Sequence, residues 1–258
     1  VLGLSSTASA LGLRILVVDL DPQANATTAL GVTAPEFTSS DVLHSSTQGS
    51  AGEAICTTEW ANVDCTPAEL ALSEREADTS LGSEFALREA MRGITDYDLV
   101  LIDCPPSVGR LTSNGLLAAD FVLVVTEPSA PALQGVQRIL ESIEVIRKYH
   151  RTDLQLAGVV VNQMPSRGRE AQLRLDELTA SLGDDVWLPP IPRRAVLTEA
   201  IGACRPVHEF GADAAAVTTA LGTHFARLMW LHQDYRTQYP DRAPAIDLTA
   251  SALSEAAL

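Results

Sequence analysis

Four apolar runs constrain this chain more than any other feature: "RILVVD" (14–19), "YDLVLID" (97–103), "FVLVVTEP" (121–128) and "LQLAGVVVNQ" (154–163). Each has the length of a strand and ends in acids, amides or prolines. Segments of helical period stand between and after them: "EFALREAMRG" (84–93), "GRLTSNGLLAAD" (109–120), "ALQGVQRILESIEVIRKYH" (132–150) and "GREAQLRLDELTASLG" (168–183). Strands that are apolar on both faces and alternate with helices belong to a parallel sheet covered on both sides. The expected class is therefore α/β, a mostly parallel twisted sheet with helices on both faces in three layers, α/β/α.

The flanking segments are less regular. Residues 2–11 read as the body of a helix rich in small residues. From residue 32 to about 72 the chain is rich in Ser, Thr and Ala with weak periodicity, and reads as loops and short helices. "WLPPIPRR" (187–194) reads as extended around its prolines, and 196–210 and 212–235 as helical at the core of each. No repeat or long linker divides the chain, so residues 1–236 are expected to form one domain and 237–258 a loosely ordered tail.

The strand ends carry the chemistry. Asp19 and Asp21 follow the first run and Asp103 the second, and in open α/β sheets ligands bind beyond the carboxyl ends of strands. One acid there is most often a cap or turn residue. Three converging carboxylates repel one another and are expensive to bury unpaired. A hard divalent cation resolves the conflict: Mg²⁺ keeps several waters and takes one or two carboxylates together with substrate phosphates. "DCPPS" (103–107) adds a strand end stiffened by Pro105 and Pro106 and followed by Gly109. It reads either as a rigid strand-to-helix turn or as a switch loop that senses a γ-phosphate. Asn162 closes the fourth run with an amide that offers a donor and an acceptor together, either to a base edge or simply to a turn.

Composition limits the partners. Acidic residues number 33 against 18 basic ones, a net charge of −15, which opposes a large nucleic-acid-binding face but leaves room for a small basic patch. Only Lys148 is a lysine. Cys56, Cys65, Cys104 and Cys204 form no C-x-x-C pair, which suits a reducing cytosol rather than a zinc site.

In order and spacing, "VDLDPQANATTALG" (18–31), "YDLVLIDCPPSVGRLTSNGLLAAD" (97–120), "GVVVNQ" (158–163) and "IPRRAVLTEAIGACRPV" (191–207) resemble the ParA/MinD family of partition ATPases, the deviant Walker branch of the P-loop NTPases. The resemblance runs from residue 1 to roughly 230. It implies ATP and Mg²⁺ as cofactors and assigns roles by position. Asp21 matches the acid that positions the attacking water, and Asp19 the acid near the metal on the same strand. Asp103 matches the Walker B aspartate that holds Mg²⁺ through water. Asn162 matches the adenine reader, Pro192 lies in the backbone that frames the base, and Pro106 opens the second switch.

The resemblance further implies an ATP-dependent homodimer that holds nonspecific DNA, is reset by a ParB-like activator, and resides in the cytoplasm on the nucleoid. The candidate DNA contacts are Arg193, Arg194 and Arg205, with Arg167, Arg169 and Arg174 on the neighbouring helix. The tail, with one Arg and no Lys after residue 237, lacks the basic amphipathic helix of membrane-bound members, so no membrane partner is expected.

The family's glycine-rich phosphate loop, with its two lysines, is not found in these residues. It should stand immediately before the first helix, and the favoured expectation is that the native protein extends upstream of Val1. The alternative is a ParA-like interaction protein without a working phosphate loop. Haloacid-dehalogenase phosphatases also place D-x-D at a strand end, but "PQ" after the second Asp disfavours them. A Rossmann dehydrogenase lacks its G-x-G-x-x-G.

Overall fold

A computed structural model describes residues 1–151 and 153–239. Helix α1 (Leu2–Ala10) leads into strand β1 (Ile15–Asp19), followed by α2 (Asn25–Ala29) and α3 (Ser39–Ser45). Strands β2 (Cys56–Thr57) and β3 (Val63–Thr66), helices α4 (Ser73–Glu76) and α5 (Ala86–Ala90), and strand β4 (Leu99–Asp103) complete the first half. The second half alternates strictly: α6 (Arg110–Ala118), β5 (Phe121–Thr126), α7 (Ala130–Tyr149), β6 (Gln155–Val161), α8 (Arg169–Leu182), β7 (Val186–Trp187), then α9 (Ala195–Gly202) and α10 (Ala215–Gln238).

The apolar runs become strands because their side chains serve two cores at once. Along β1, Ile15 and Val17 join a cluster with Leu4 and Ala8 of α1 and Phe225, Leu228 and Met229 of α10. Leu16 and Val18 point the other way, to Val42, Leu87 and Leu111 from α3, α5 and α6. In β6, Ala157 and Val160 share the first cluster, while Val159 and Val161 pack with Val136, Ile143 and Leu175 from α7 and α8. Both strands are apolar on both faces, with a strict period of two along β1 and an alternation reset in β6 at the register shift opposite Val122 and Leu123, and this produces the three expected layers.

The strands form two hydrogen-bonded sheets, ordered β2-β3-β1-β4 and β5-β6-β7. All pairings are parallel except β2 with β3. Leu99 and Leu101 of β4 and Phe121 and Leu123 of β5 pack against the same cluster, so the sheets share one core and a seam runs between β4 and β5. Among the described residues each of these strands has a ladder partner on one side only. Val100 is 37% and Val125 55% exposed, whereas every residue of β1 is buried. An edge of unpaired N–H and C=O groups is a template for a further strand.

Short elements depart from expectation. β2 and β3 lie where loops and short helices were read: "VDCT" has too few apolar residues to signal a strand, and pairing with β1 makes it one. The helix expected over 84–93 reduces to α5 after a 3-10 turn, Ser83–Phe85, with Gly93 at φ +91°. Residues Val207–Ala214 are 3-10 rather than α. Thr237 and Gln238 continue α10, Tyr239 caps it, and residues 240–258 of the expected tail lie outside the described residues.

At the amino-terminal ends of β5 and β6, Arg151 is 5% exposed. Its guanidinium donates to both oxygens of Asp153 at 3.0 and 2.9 Å, to Asp120 at 3.1 Å and to the Leu117 carbonyl at 3.0 Å. The Tyr235 hydroxyl adds a bond to Asp120 and ties α10 to this end of the sheet. The opposite, carboxyl end is left for a ligand.

Candidate nucleotide site

The register of β1 against β4 sets Asp19 directly beside Asp103, as the sequence reading required. Their surroundings differ completely. Asp19 is fully buried. One oxygen accepts the Asp21 amide at 3.0 Å; the other accepts the Thr27 amide at 2.9 Å and the Thr27 hydroxyl at 2.7 Å. Burial pushes its pKa up, the Thr27 and Asp21 bonds pull it down, and Asp103 adds a smaller upward push. Its backbone carbonyl takes the Ser39 hydroxyl at 2.6 Å. Asp19 therefore organises the loop after β1. Three donors already engage its carboxylate, which leaves one lone-pair direction for the metal contact that the resemblance assigns to it.

Asp103 has no donor on its carboxylate among the described residues. Burial holds it above the ordinary carboxylate range, and Asp21 adds to this. A half-buried carboxylate with no hydrogen bond is the kind of group a cation satisfies. Asp21 is less enclosed. One of its oxygens accepts the Gln23 amide at 2.9 Å, and its carbonyl accepts the Ala24 amide. Ala24, at the start of α2, sits at φ +54°, a left-handed conformation that costs a non-glycine residue of order 1 kcal/mol and is found where a loop must aim side chains. Among the described residues no group of three or more His, Cys, Asp and Glu is arranged to hold a metal by itself. Magnesium bound through one carboxylate, water and phosphates needs no such group, and the Asp103 carboxylate fits that mode.

The loop after β4 is open to solvent at Pro106, Ser107 and Val108. Thr112 of α6 reaches back to the Ser107 carbonyl at 2.5 Å, which ties the loop to the first turn of the helix.

The expected base-binding residues come together on the second sheet. Asn162 receives order through its backbone, donating to the Thr126 carbonyl at 2.8 Å, and its side chain makes no hydrogen bond to a described residue. Pro192 lies opposite Met164 in a parallel bridge. Ile191 donates to Val161, Met164 to Ile191, and Arg193 to Met164, so 191–193 extend β6's register past its end. Gln163 stands at φ +54° and donates to Glu127 at 2.9 Å. No local pattern around it marks it out.

The arginines divide into two groups. Arg167, Arg169, Arg193 and Arg194 are exposed and make no ion pair with a described residue. The bridge between Met164 and Pro192 puts their two segments side by side. Arg205 is instead held by Glu209 at 2.7 Å and stacked over Phe210, and Arg174 is paired with Glu177 and Glu170. A guanidinium already paired with a carboxylate has less to offer a phosphate than a free one.

Thr27 and Ser39 were missed, though they hold the site together. A hydroxyl at the third position of a short helix is a weak cue; its partner is visible only in three dimensions.

Comparison with known proteins gives consistent results. A family model described as "AAA domain" (AAA_31) matches residues 1–156. The chain is 32% identical over 202 residues to the sporulation initiation inhibitor protein Soj of Bacillus subtilis, covering 76% of this chain and 79% of that protein. It is 37% identical over 201 residues to the chromosome-partitioning ATPase Soj of Thermus thermophilus, covering 77% of each. The crystal structure of cobyrinic acid a,c-diamide synthase from Mycobacterium smegmatis, with a bound ATP analogue and magnesium, is 29% identical at a TM-score of 0.70, covering 95% of this chain and 92% of that one.

Proposed function

Since the chain belongs to the ParA/MinD family of partition ATPases, we propose that it is an ATP-driven switch whose nucleotide state controls self-association and the holding of DNA. The observation that carries this reading is the Asp103 carboxylate, half-buried at a strand tip, with no hydrogen-bond donor among the described residues and Asp21 near enough to raise its pKa. Similarity to proteins solved with nucleotide and magnesium supports ATP and Mg²⁺ as its cofactors.

In this reading Asp103 holds the magnesium, and Asp21 orients the attacking water and takes up its proton. Asp19 contributes by fixing the Asp21 backbone. The unpaired Asn162 amide meets the base edge, beside the backbone at Pro192. Magnesium, when bound, neutralises phosphate charge as it develops, so catalysis rests on position and electrostatics rather than on covalent chemistry. Lys148, the one lysine, lies in the last turn of α7 over the Tyr149 ring and is not a phosphate ligand. The unpaired edges of β4 and β5 support placing the phosphate-binding strand and loop in the seam between them.

The four unpaired arginines around the Met164–Pro192 bridge form the DNA-holding face. Among the described residues no helix is long and apolar enough to cross a membrane. A homodimer, a ParB-like activator that resets the cycle and a place on the nucleoid complete the proposal.

The test is direct. With the intact protein, Asp21→Ala should bind ATP and lose hydrolysis by about 100-fold or more, and Asp103→Asn should lose magnesium-dependent nucleotide binding. Normal turnover in Asp21→Ala removes its role.

A further inference from the structure

Helix α6 begins without a cap of its own. Its N-cap is Gly109, which has no side chain to offer, so the first amides of the helix are left to other partners. The partner comes from α4. Both oxygens of Glu76 are used: Oε1 accepts the Arg110 amide at 3.1 Å and Oε2 the Leu111 amide at 3.0 Å. Gly109 is in an extended conformation that any residue adopts, at φ −133°. Its lack of a side chain has a different cause, because a Cβ there would fall inside the Glu76 carboxylate.

The contact is part of a longer cradle. Arg110 pairs with Glu84 at 2.9 Å, and the Asn114 side chain accepts from the Leu87 amide while donating to the Ser83 carbonyl. The far end of the exposed loop is gripped from inside by Thr112 on Ser107. The near end is fixed by β4 itself. Glu76 thus sits where movement of the loop would have to break something, and a carboxylate at a helix amino terminus is favoured by the helix dipole as well as by its hydrogen bonds.

We propose that Glu76 is a positioning residue of the reaction: its carboxylate caps α6 and thereby sets the position of the 104–109 loop beside Asp103. The proposal rests on the ATPase reading of the site. It concerns how the chain aims its switch loop, not whether nucleotide binds.

Two substitutions break the contact from opposite sides. Glu76→Ala removes the acceptor, and Gly109→Ala displaces it. In the intact protein each should speed amide hydrogen exchange at Arg110 and Leu111 by roughly tenfold, and the double variant should add little. Glu76→Gln, with one carbonyl acceptor, should fall between. Alkylation of Cys104, at the start of the loop, should change rate in the same variants, identified by peptide mass spectrometry. In steady-state assays kcat should fall by roughly fivefold or more while the KM for ATP moves less than about twofold.

Unchanged exchange at Arg110 and Leu111 in Glu76→Ala overturns the cap. Faster exchange with unchanged Cys104 reactivity and unchanged kcat overturns the positioning role. Absence of turnover in the wild type overturns the ATPase reading, and is seen before any variant is made.

Discussion

The amide and hydroxyl of Thr27 close on a single oxygen of Asp19, at 2.9 and 2.7 Å. The same hydroxyl accepts the Ala68 amide at 2.9 Å, so one side chain joins β1, α2 and the segment after β3. Thr27→Val leaves a buried carboxylate short of a donor and a buried amide short of an acceptor. Stability should drop by about 2–3 kcal/mol, read as a lower urea midpoint at constant slope. Thr27→Ser should recover most of it. Equal stability of the Val variant would mean water replaces the hydroxyl.

Ala24 holds the loop after β1 at φ +54°. Glycine tolerates that conformation without a Cβ clash, at some entropic cost to the unfolded chain. Ala24→Gly should stabilise the protein by about 0.5–1 kcal/mol. A destabilised variant would show that the methyl group's packing outweighs the strain.

The two classes of arginine predict different behaviour toward DNA. Arg193→Ala/Arg194→Ala should weaken ATP-dependent binding at low salt and lower the slope of log affinity against log salt by about 2, near 1 per lost phosphate contact. Arg205→Ala, which removes a side chain already paired with Glu209, should change affinity by less than about twofold. An Arg205 effect as large as that of the double variant would relocate the DNA face.

His224 gives a pH signature. Its ring is buried against Trp187 and its Nε2 has no hydrogen-bond partner among the described residues. Burial lowers its pKa from 6.5 to about 4, against the pull of the Pro189 carbonyl and with help from Arg227. The unfolded chain takes up the proton as pH falls through 6.5, and the folded chain does not until about 4. Stability from this group is therefore intact above that window and declines through it, by at most about 1.4 kcal/mol per pH unit. His224→Gln removes the titration, so the stability difference between wild type and variant should shrink as the solution is acidified. A difference that stays flat would show that the histidine is protonated in place.

Residue type and spacing alone specify the layered fold and mark the tips of β1 and β4 as the place for chemistry. Apolar runs and helical periods are local signals, and "ILVVD" or "LVLID" needs no distant partner to be read as a buried strand with an acid at its end. Tertiary structure decided what each polar group does. Asp19 and Asp103 read alike in sequence, yet one is met by three donors and the other by none. Arg194 and Arg205 read alike, yet only Arg205 is paired with a described residue. Strand β3 exists because β1 offers it a ladder, and Gly109 is bare because Glu76, from another part of the chain, fills its space. Hydrophobic burial depends on residue type and spacing, which are written along the chain. Hydrogen bonds and ion pairs depend on direction and on distances of about 3 Å between residues far apart in sequence, and only the folded chain sets those.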